Sequence, residues 1–161
     1  MATVGLISDT HGLLRQEARE LLRGSDLIIH AGDVGREEIL AELSALAPLV
    51  AVRGNVDRGP WASALPMTGV AETASGPIYV LHDVNELDLN PSVAGFRAVV
   101  SGHSHKPGQK RVAGVLYVNP GSAGPRRFQL PITVARIDLG ETTWRATFFD
   151  VMTGNVIPVP E

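Results

Sequence analysis

The stretch "TVGLISDTHG", Thr3 to Gly12, decides how the N-terminal part of this chain folds. Its first six residues form a short apolar run bounded by polar residues, which predicts a buried β-strand from Thr3 to Ser8. Asp9 and His11 follow at once, so a carboxylate and an imidazole stand where this strand ends. The segments that come next indicate which kind of sheet the strand joins.

Helices and strands alternate after this first strand. Charged, helix-favouring residues fill 15–24, and Gly24 suits a helix C-terminus. A second amphipathic helix is predicted over Arg36 to Leu46. Apolar runs predict two more buried strands, over Asp26 to Gly32 and over Pro48 to Gly54. The resulting βαβαβ order implies parallel strands joined by right-handed crossovers.

The chain is rich in strands after Pro60, and we expect that half to be antiparallel. The predicted elements are two strands within 67–83 that turn at Ser75, Gly76 and Pro77, a short helix within 89–95, a strand over 96–102, a hairpin within 110–122 that turns at Ala113 and Gly114, and a hairpin within 131–150 that turns near Gly140 and Glu141. The tail "TGNVIPVPE" carries two prolines and is expected to be an edge strand or loosely held.

Length and composition limit the function classes. A chain of 161 residues predicts one domain spanning 1–161, and the absence of cysteine excludes disulfides and thiolate metal sites. The net charge of -3, with no long basic run, argues against binding nucleic acid through its phosphates. No signal-peptide pattern and no bilayer-spanning apolar run are found, so we expect a cytoplasmic protein without membrane contact. The sequence leaves the oligomeric state open, including a homo-oligomer.

Metal-ligating residue types follow five predicted strands. They are Asp9 and His11, Asp33, Asn55 with Asp57, His82, and His103 with His105. Ligands of parallel α/β sheets bind at the carboxyl ends of the strands, where such loops converge. Without Asp57, this set provides seven nitrogen and oxygen ligands, which are too many for one ion but suit two divalent ions, Mn, Fe, Ni, Co or Zn, that share a carboxylate. A water or hydroxide bridging two such ions would become a nucleophile near neutral pH.

The order and spacing of these motifs resemble the calcineurin-like metallophosphoesterases. The motifs are Asp9-x-His11, Gly32-Asp33, Gly54-Asn55, His82 and Gly102-His103-x-His105, and "NPGS" at 119–122 is typical of the small bacterial and archaeal phosphodiesterase branch. The resemblance implies an α/β (α+β) fold, a four-layer α-β-β-α sandwich in which two mixed sheets pack face to face between helices. It also implies hydrolysis of a small phosphate ester, with a phosphodiester preferred. Given the charge of the chain, we do not expect nucleic acid as a partner except as a small nucleotide substrate.

The resemblance further implies which residues hold each ion. One ion would be held by Asp9, His11, Asp33 and His105, and the other by Asp33, Asn55, His82 and His103, so that Asp33 bridges the two. The catalytic set that it implies comprises Asp9, Asp33, Asn55 and His82.

Two positions depart from the family pattern. Val56 stands where many members have a histidine proposed to assist the leaving group, and Asp83 stands where glycine is usual. Arg58 and Arg126 are candidate substrate-binding residues, because a guanidinium matches the geometry of phosphate oxygens. Asp57 either orients a ligand or caps a turn.

Other interpretations compete with a phosphoesterase. A retromer subunit shares this fold and acts as a protein-interaction scaffold, but a scaffold has no need for all seven ligand positions, and all seven are present here. A serine hydrolase using Ser122 is disfavoured, because Pro120 stands where a nucleophile elbow requires glycine. His30 lies inside an apolar run and is interpreted as a core histidine or as support for the ligands, not as a ligand itself.

Overall fold

The computed structural model of the chain describes residues 2–161 and consists mainly of strands. The strands are β1 (Ala2–Ile7), β2 (Leu27–His30), β3 (Leu49–Ala51), β4 (Thr68–Ala71), β5 (Ile78–Leu81), β6 (Ala98–Val100), β7 (Pro107–Val112), β8 (Val115–Pro120), β9 (Thr133–Leu139), β10 (Trp144–Asp150) and β11 (Val156–Ile157). The helices are α1 (Gln16–Leu22), α2 (Glu37–Ser44), α3 (Pro60–Ser63) and α4 (Pro91–Ala94), with a 3-10 helix at Val84–Glu86.

The first sheet joins the two ends of the chain. Its strand order is β11-β10-β9-β1-β2-β3. The pairs β1–β2 and β2–β3 are parallel, as the βαβαβ pattern predicts, and Val4 faces Leu27 across the first pair. On its other side β1 pairs antiparallel with β9, which places Val4 opposite Ile137. The strand that carries Asp9 at its end is therefore buried between neighbours on both sides.

The second sheet is mixed and has the order β4-β5-β6-β8-β7. Its outer pairs, β4–β5 and β7–β8, are antiparallel, and Ala113 and Gly114 form the predicted turn of the β7–β8 hairpin. Its central pairs, β5–β6 and β6–β8, are parallel. The prediction that the second half is antiparallel is wrong for these pairs. The physical reason is that β5, β6 and β8 are joined by crossovers rather than by tight turns.

The two sheets pack face to face over the main core. Leu6 and Ile29 from the first sheet meet Val80, Val100 and Leu116 from the second, and all five are fully buried. A second core lies on the outer face of the first sheet, where α1 and α2 cover it with Leu22, Ile39 and Leu43 among others. Aliphatic side chains build both cores, as expected for a chain with 5% aromatic residues.

Helices cover the outer faces unequally. The first sheet is covered by α1 and α2, whose predicted ranges are confirmed to within a few residues. The outer face of the second sheet carries Tyr79 and Val99 and is covered by Leu87 and Leu89 from the connection around the 3-10 helix. The predicted architecture of two mixed sheets with helices outside is confirmed, although the outer layer on the second sheet is thin.

The C-terminal tail connects the two sheets. β11 is an edge strand on β10, which confirms one of the two expectations for this segment. Beyond it, Nε2 of Gln109 on β7 donates to the Val159 carbonyl at 2.5 Å. Arg111, also on β7, forms an ion pair with Glu161, with Nε and Oε1 2.9 Å apart. None of the helices within residues 2–161 is both long and apolar enough to cross a membrane.

Candidate metal centre

The loops after β1 and β2 continue side by side beyond the end of the sheet. The Asp9 amide donates to the Gly32 carbonyl at 3.0 Å, and the His11 amide donates to the Asp33 carbonyl at 2.9 Å. Backbone hydrogen bonds therefore fix the relative positions of the two loops. As a result Asp9, His11 and Asp33 share one edge of the sheet, as the strand-end argument predicts.

Five predicted ligands have a left-handed backbone. Asp9, His11, Asp33, His103 and His105 have φ between 47° and 73°. Residues other than glycine rarely adopt this region, which costs free energy, and such residues concentrate at functional sites. The backbone at these strand ends is therefore held in conformations that aim the side chains, at the expense of local stability.

Two glycines allow the ligand loops to approach one another. At Gly102, which follows β6, a Cβ would overlap the Ser8 hydroxyl and the Asp9 carboxylate. At Gly32 the backbone has φ +102°, and a Cβ would lie 2.7 Å from Nδ1 of His82. The "GH" and "GD" motifs thus need glycine because another ligand-bearing loop occupies the space of a side chain.

The Asp9 carboxylate has one saturated oxygen and one free oxygen. Oδ2 accepts hydrogen bonds from the Ser8 hydroxyl at 2.6 Å and from the His103 amide at 3.1 Å. Oδ1 is buried and has no hydrogen-bond partner within residues 2–161. It lies 3.4 Å from Nε2 of His105 and 3.8 Å from Nε2 of His11. These three atoms converge on a common point.

Asp33 and His82 face each other on the opposite side of this point. Oδ1 of Asp33 accepts from the Val56 amide at 3.0 Å, which leaves Oδ2 to face the imidazoles. Oδ2 lies 3.1 Å from Nε2 of His82 and 3.7 Å from Nε2 of His11. Nδ1 of His82 is 2.7 Å from the Ala31 carbonyl and donates to it, so Nε2 is the atom that faces the centre.

Burial and neighbouring groups shift the pKa values of Asp33 and His82 in opposite directions. Burial lowers the pKa of His82, but the Asp33 carboxylate, the Ala31 carbonyl and the charge of Asp9 outweigh it and raise that pKa to about 9. Burial raises the pKa of Asp33, but His82, the Val56 amide and the charge of His11 together lower it to about 2. The Asp33 carboxylate is therefore ionised at neutral pH and attracts cations.

The donor atoms fit divalent metal ions. Ligand atoms of Asp9, His11 and His105 lie within 4.8 Å of one another, and so do those of Asp9, Asp33 and His82. Donors about 2.1 Å from one tetrahedral ion are about 3.4 Å apart, close to the measured contacts. The unpartnered buried atoms Oδ1 of Asp9 and Nε2 of His82 are satisfied only by a cation or a proton at this point. The residues therefore fit the ions that the sequence predicts.

Two predicted ligands lie at the margin of this cluster. His103 is partly exposed; its ring lies 5.2 Å from that of His82, and its Nε2 is 3.8 Å from Oδ2 of Asp83. Asn55 is exposed and lines, together with His82 and His103, a cavity of about 480 Å³. The structure thus brings five of the seven predicted ligands into direct proximity and the other two to the adjoining cavity.

Asp57 ties the loops after β2 and β3 together. Its buried carboxylate accepts three backbone hydrogen bonds, from Gly54 at 2.9 Å, Gly35 at 3.0 Å and Val34 at 3.2 Å. Of the two roles considered for Asp57, the structure supports orientation of the ligand-bearing loops, because the bonds extend beyond its own turn. The sequence contains the residue but gives no sign that three amides converge on it.

His30 is a fully hydrogen-bonded core histidine. Its Nδ1 accepts from the Gly32 amide at 3.1 Å, so its Nε2 donates to the Thr10 hydroxyl at 3.0 Å. That hydroxyl in turn donates to the Val34 carbonyl at 2.8 Å. Burial lowers the pKa of His30 to about 4, so the ring is neutral at pH 7. The interpretation of His30 as support for the ligand loops agrees with these contacts.

The remaining candidates occupy other places. The Ser122 hydroxyl is buried and donates to the Asp9 carbonyl at 3.0 Å, which is a structural role and not that of a nucleophile. Arg58 is exposed in the loop before α3, and Arg126 donates to the Leu130 carbonyl of its own loop at 3.2 Å. Arg53, one residue before Gly54, lines the cavity and was not identified from the sequence. The sequence signal that could have identified Arg53 was its position at the end of the predicted strand over Pro48 to Gly54.

Fold and donor set together define a metal-dependent hydrolase of phosphate esters, and comparison with known proteins agrees. Residues 2–142 match the family described as the calcineurin-like phosphoesterase superfamily domain. The chain belongs to this superfamily, and it is a phosphoesterase of a family that uses divalent metals.

Two curated relatives are named probable metallophosphoesterases. That of Methanocaldococcus jannaschii is 34% identical over 98% of this chain and 82% of its own. That of Methanothermobacter thermautotrophicus is 32% identical over 84% of this chain and 86% of its own. Both alignments cover more than four fifths of this chain, so the similarity is not confined to the metal-binding loops.

Solved structures share the fold. A conserved uncharacterized protein of Streptococcus pneumoniae TIGR4, described as a predicted phosphoesterase, matches with a TM-score of 0.79 and 26% identity, covering 98% of this chain and 93% of that chain. Vps29 of Entamoeba histolytica complexed with zinc matches at 0.76 and 22%, covering 96% of both chains. A structure described as a novel archaeal phosphodiesterase matches at 0.71 and 22%, covering 91% of this chain and 99% of that chain.

Proposed function

We propose that this phosphoesterase is a phosphodiesterase that uses two divalent metal ions. One ion would be held by Asp9, His11, Asp33 and His105, and the other by Asp33, Asn55, His82 and His103. The observation that carries the proposal is the position of Asp33. Its Oδ2 lies within 3.7 Å of Nε2 in both His11 and His82, one imidazole from each set, as a bridging carboxylate requires.

Hydrolysis of the ester exchanges one bond to phosphorus for another. Water adds its oxygen to phosphorus and gives up a proton, the bond from phosphorus to the ester oxygen breaks, and the departing alkoxide takes up a proton. When bound, two divalent ions supply Lewis acidity, which lowers the pKa of the attacking water and neutralises charge on the phosphate. Three hydrogen bonds orient the ligands for this task. The Ser8 hydroxyl donates to Asp9, the Val56 amide donates to Asp33, and Nδ1 of His82 donates to the Ala31 carbonyl.

Leaving-group protonation has no evident donor among the described residues that surround the centre. Val56 has no proton to give and is 44% exposed at the edge of the site. Both nitrogens of His30 are engaged, so that ring is not free to donate to a substrate. Asp83 lines the cavity but accepts from the Asn85 amide and faces His103. We therefore infer a preference for esters with acidic leaving groups.

The cavity next to the centre favours a diester. It offers about 480 Å³ beside Asn55, His82 and His103, which is enough space for an organic group beyond the phosphate. Arg53 lines it and is well suited to contact a phosphate oxygen. Arg58 and Arg126 remain predicted substrate contacts. Arg53 is the stronger candidate, because it lines the cavity, whereas Arg126 forms a hydrogen bond within its own loop.

The test is a screen of matched phosphate esters with defined metals. The purified protein is stripped, reloaded separately with Mn, Fe, Ni, Co and Zn, and assayed on p-nitrophenyl phosphate, bis(p-nitrophenyl) phosphate and cyclic nucleotides. We expect the diester to be hydrolysed with a higher kcat/KM than the monoester, and the bound metal to approach two ions per chain. Hydrolysis of the monoester alone would exclude the diesterase assignment, and full occupancy without turnover would favour a scaffold.

A further inference from the structure

The cavity beside the metal centre has an acidic wall. Asp83, Glu86 and Asp88 line it, and Arg53 is the guanidinium that lines the same cavity. Carboxylates repel a phosphate, so a phosphoesterase gains nothing from this wall in binding the reacting group. We therefore expect the wall to contact the ester group of the substrate rather than its phosphate.

The wall is held in a defined position. The Asp83 carboxylate accepts from the Asn85 amide at 3.0 Å, and the Glu86 amide donates to the Asp83 carbonyl at 3.0 Å, which forms the 3-10 helix. Leu87 packs on the cluster that contains Tyr79 and Leu81. Because Leu87 anchors the segment, the neighbouring Glu86 and Asp88 are held at the cavity rather than on a free loop.

The negative charge of the wall is only weakly compensated. The ion pairs found in residues 2–161 include neither Glu86 nor Asp88. Asp83 faces His103 with Oδ2 and Nε2 3.8 Å apart. The ion pairs found in residues 2–161 do not include Arg53 either, and its Nε donates to Sδ of Met67 at 3.2 Å. Carboxylates without partners inside a concave surface attract a cation.

An independent observation identifies the cavity as a ligand site. His82 also lines it, is 7% exposed, and has a buried Nε2 without a hydrogen-bond partner within residues 2–161. The inner end of the cavity is therefore the candidate metal centre itself. An ester group on a phosphate held there extends along Met67 and Leu81 toward the acidic wall.

We propose that the ester group occupying this cavity carries a positive charge, as an amine or a quaternary ammonium group does. This inference rests on the proposed phosphodiesterase function and names its substrate class. Met67 and Leu81 provide apolar contact for methyl or methylene groups, while Glu86 and Asp88 provide the opposite charge. A second phosphate in the cavity would face three carboxylates, so nucleotides and polyphosphates are poorer substrates.

The experiment uses two diesters that differ only in charge. In p-nitrophenyl phosphocholine and 3,3-dimethylbutyl p-nitrophenyl phosphate, the ester groups have the same shape, but only the first is cationic. In both, water bonds to phosphorus, p-nitrophenolate leaves with the electrons of the P–O bond, and a proton passes to solvent. With metal-loaded protein at low salt we expect kcat/KM to favour the choline ester roughly tenfold. The preference should shrink as ionic strength rises.

Variants identify the source of the preference. The double variant Glu86→Gln/Asp88→Asn should lose the preference, so that its kcat/KM values on the two diesters become equal. The control variant Glu17→Gln, which changes a carboxylate on α1, should keep the preference. Calorimetric titration with phosphocholine and 3,3-dimethylbutyl phosphate gives a second readout that needs no turnover, and the wild-type protein should bind phosphocholine roughly tenfold more tightly.

The outcomes separate this inference from the proposed function. Equal kcat/KM values for the two diesters would overturn the inference and leave the phosphodiesterase intact. A double variant that binds manganese more weakly but keeps the preference would also overturn it, since the wall would then attract the metal. Tighter binding of phosphocholine without hydrolysis of either diester would support the cationic group and count against the phosphodiesterase.

Discussion

Oδ2 of Asp33 and Nε2 of His82 lie 3.1 Å apart at the ends of strands from different sheets. Asp33 follows β2 of the first sheet, and His82 follows β5 of the second. Their proximity shows that the carboxyl ends of parallel strands in both sheets open toward the same place. A site built in this way depends on how the two sheets pack, so its geometry is a property of the whole fold.

Asp33→Asn is expected to be the most damaging single ligand change. Asn at this position removes the negative charge that faces both His11 and His82. Metal affinity and hydrolysis of bis(p-nitrophenyl) phosphate should fall together by more than about a hundredfold. The control Asp138→Asn removes a half-buried carboxylate on β9 and should leave both unchanged. Near-normal occupancy and turnover in Asp33→Asn would rule out a shared carboxylate.

Chelation is expected to lower the melting temperature. A ligand that binds only the native state stabilises it by about 2.7 kcal/mol at a hundredfold excess over Kd. For a domain of this size, that corresponds to about 5–10 °C in Tm. Calorimetry of the metal-loaded and the EDTA-treated protein measures the difference. Identical melting temperatures would mean that the centre binds metal weakly or not at all.

Val56→His is expected to broaden the range of leaving groups. The valine side chain is exposed at the edge of the site, and its amide already holds Asp33. Without a proton donor, the rates of aryl phosphodiesters should fall steeply as the pKa of the leaving phenol rises. A positioned acid typically contributes about 10²–10⁴-fold, so an imidazole that reaches the leaving oxygen should flatten this dependence.

The measurement for Val56 is a series of aryl diesters assayed with both proteins under conditions where the chemical step limits the rate. Val56→Thr serves as the control of similar volume that lacks an imidazole. A flat dependence in the wild-type protein would show that another residue donates the proton. Asp83 would then be tested first, because it lines the cavity, whereas both nitrogens of His30 are engaged.

His30 is expected to make the protein less stable in weak acid. Burial lowers its pKa from 6.5 to about 4, and the charges of Asp9 and Asp57 offset only part of this effect. Between these pH values the unfolded chain binds a proton that the native protein does not. The stabilisation is therefore complete above pH 6.5 and is lost as the pH falls toward 4, with a maximum of about 3 kcal/mol.

Urea unfolding of the metal-free protein between pH 4 and 8 tests the role of His30. His30→Gln has no titrating ring, so the difference in unfolding free energy between wild type and variant should shrink as the pH falls through this window. Comparing the two proteins cancels the titration of the other histidines. A difference that stays constant with pH would mean that the ring titrates near its ordinary value.

Asp57→Ala is expected to loosen the site as well as the fold. The substitution leaves three amides, of Val34, Gly35 and Gly54, without their acceptor. Because buried unpaired groups cost about 1–3 kcal/mol each, the free energy of unfolding should drop by about 3 kcal/mol or more. Metal affinity should fall too, since two ligand loops lose their connection. Asp150→Ala removes a half-buried carboxylate that accepts from the amides of Met152 and Thr153, and it should cost less stability and no metal affinity.

Much of the fold could be predicted because local pattern and burial agree. The N-terminal strands and helices follow from apolar runs and helical periodicity, and the β7–β8 turn follows from Ala113 and Gly114. The parallel pairs β5–β6 and β6–β8 could not be predicted in the same way. The connection from β5 to β6 contains only a 3-10 helix and the single turn α4, so no long amphipathic pattern indicated a crossover.

The proximity of the candidate ligands could be predicted from the sequence, but the contacts that support them could not. Asp9, His11 and Asp33 stand directly after apolar runs, and the geometry of parallel sheets brings such positions together. The hydrogen bonds to Asp57 and the position of Arg53 at the cavity depend on loops that meet only after both sheets have packed. The spacing of residues along the sequence carries no information about which of these loops come into contact.

The pairing of β1 with β9 has a consequence for the order of events on the ribosome. β1 is synthesised well before its neighbour β9, which begins at Thr133, and the hydroxyl that donates to the Asp9 carbonyl belongs to Ser122. A nascent chain that has been synthesised as far as Pro120 therefore already carries all seven predicted ligands, while one edge of β1 is still unpaired. Unpaired edges of apolar strands invite association with other chains. The edge of β1 that β9 covers is therefore protected only after the C-terminal strands have emerged.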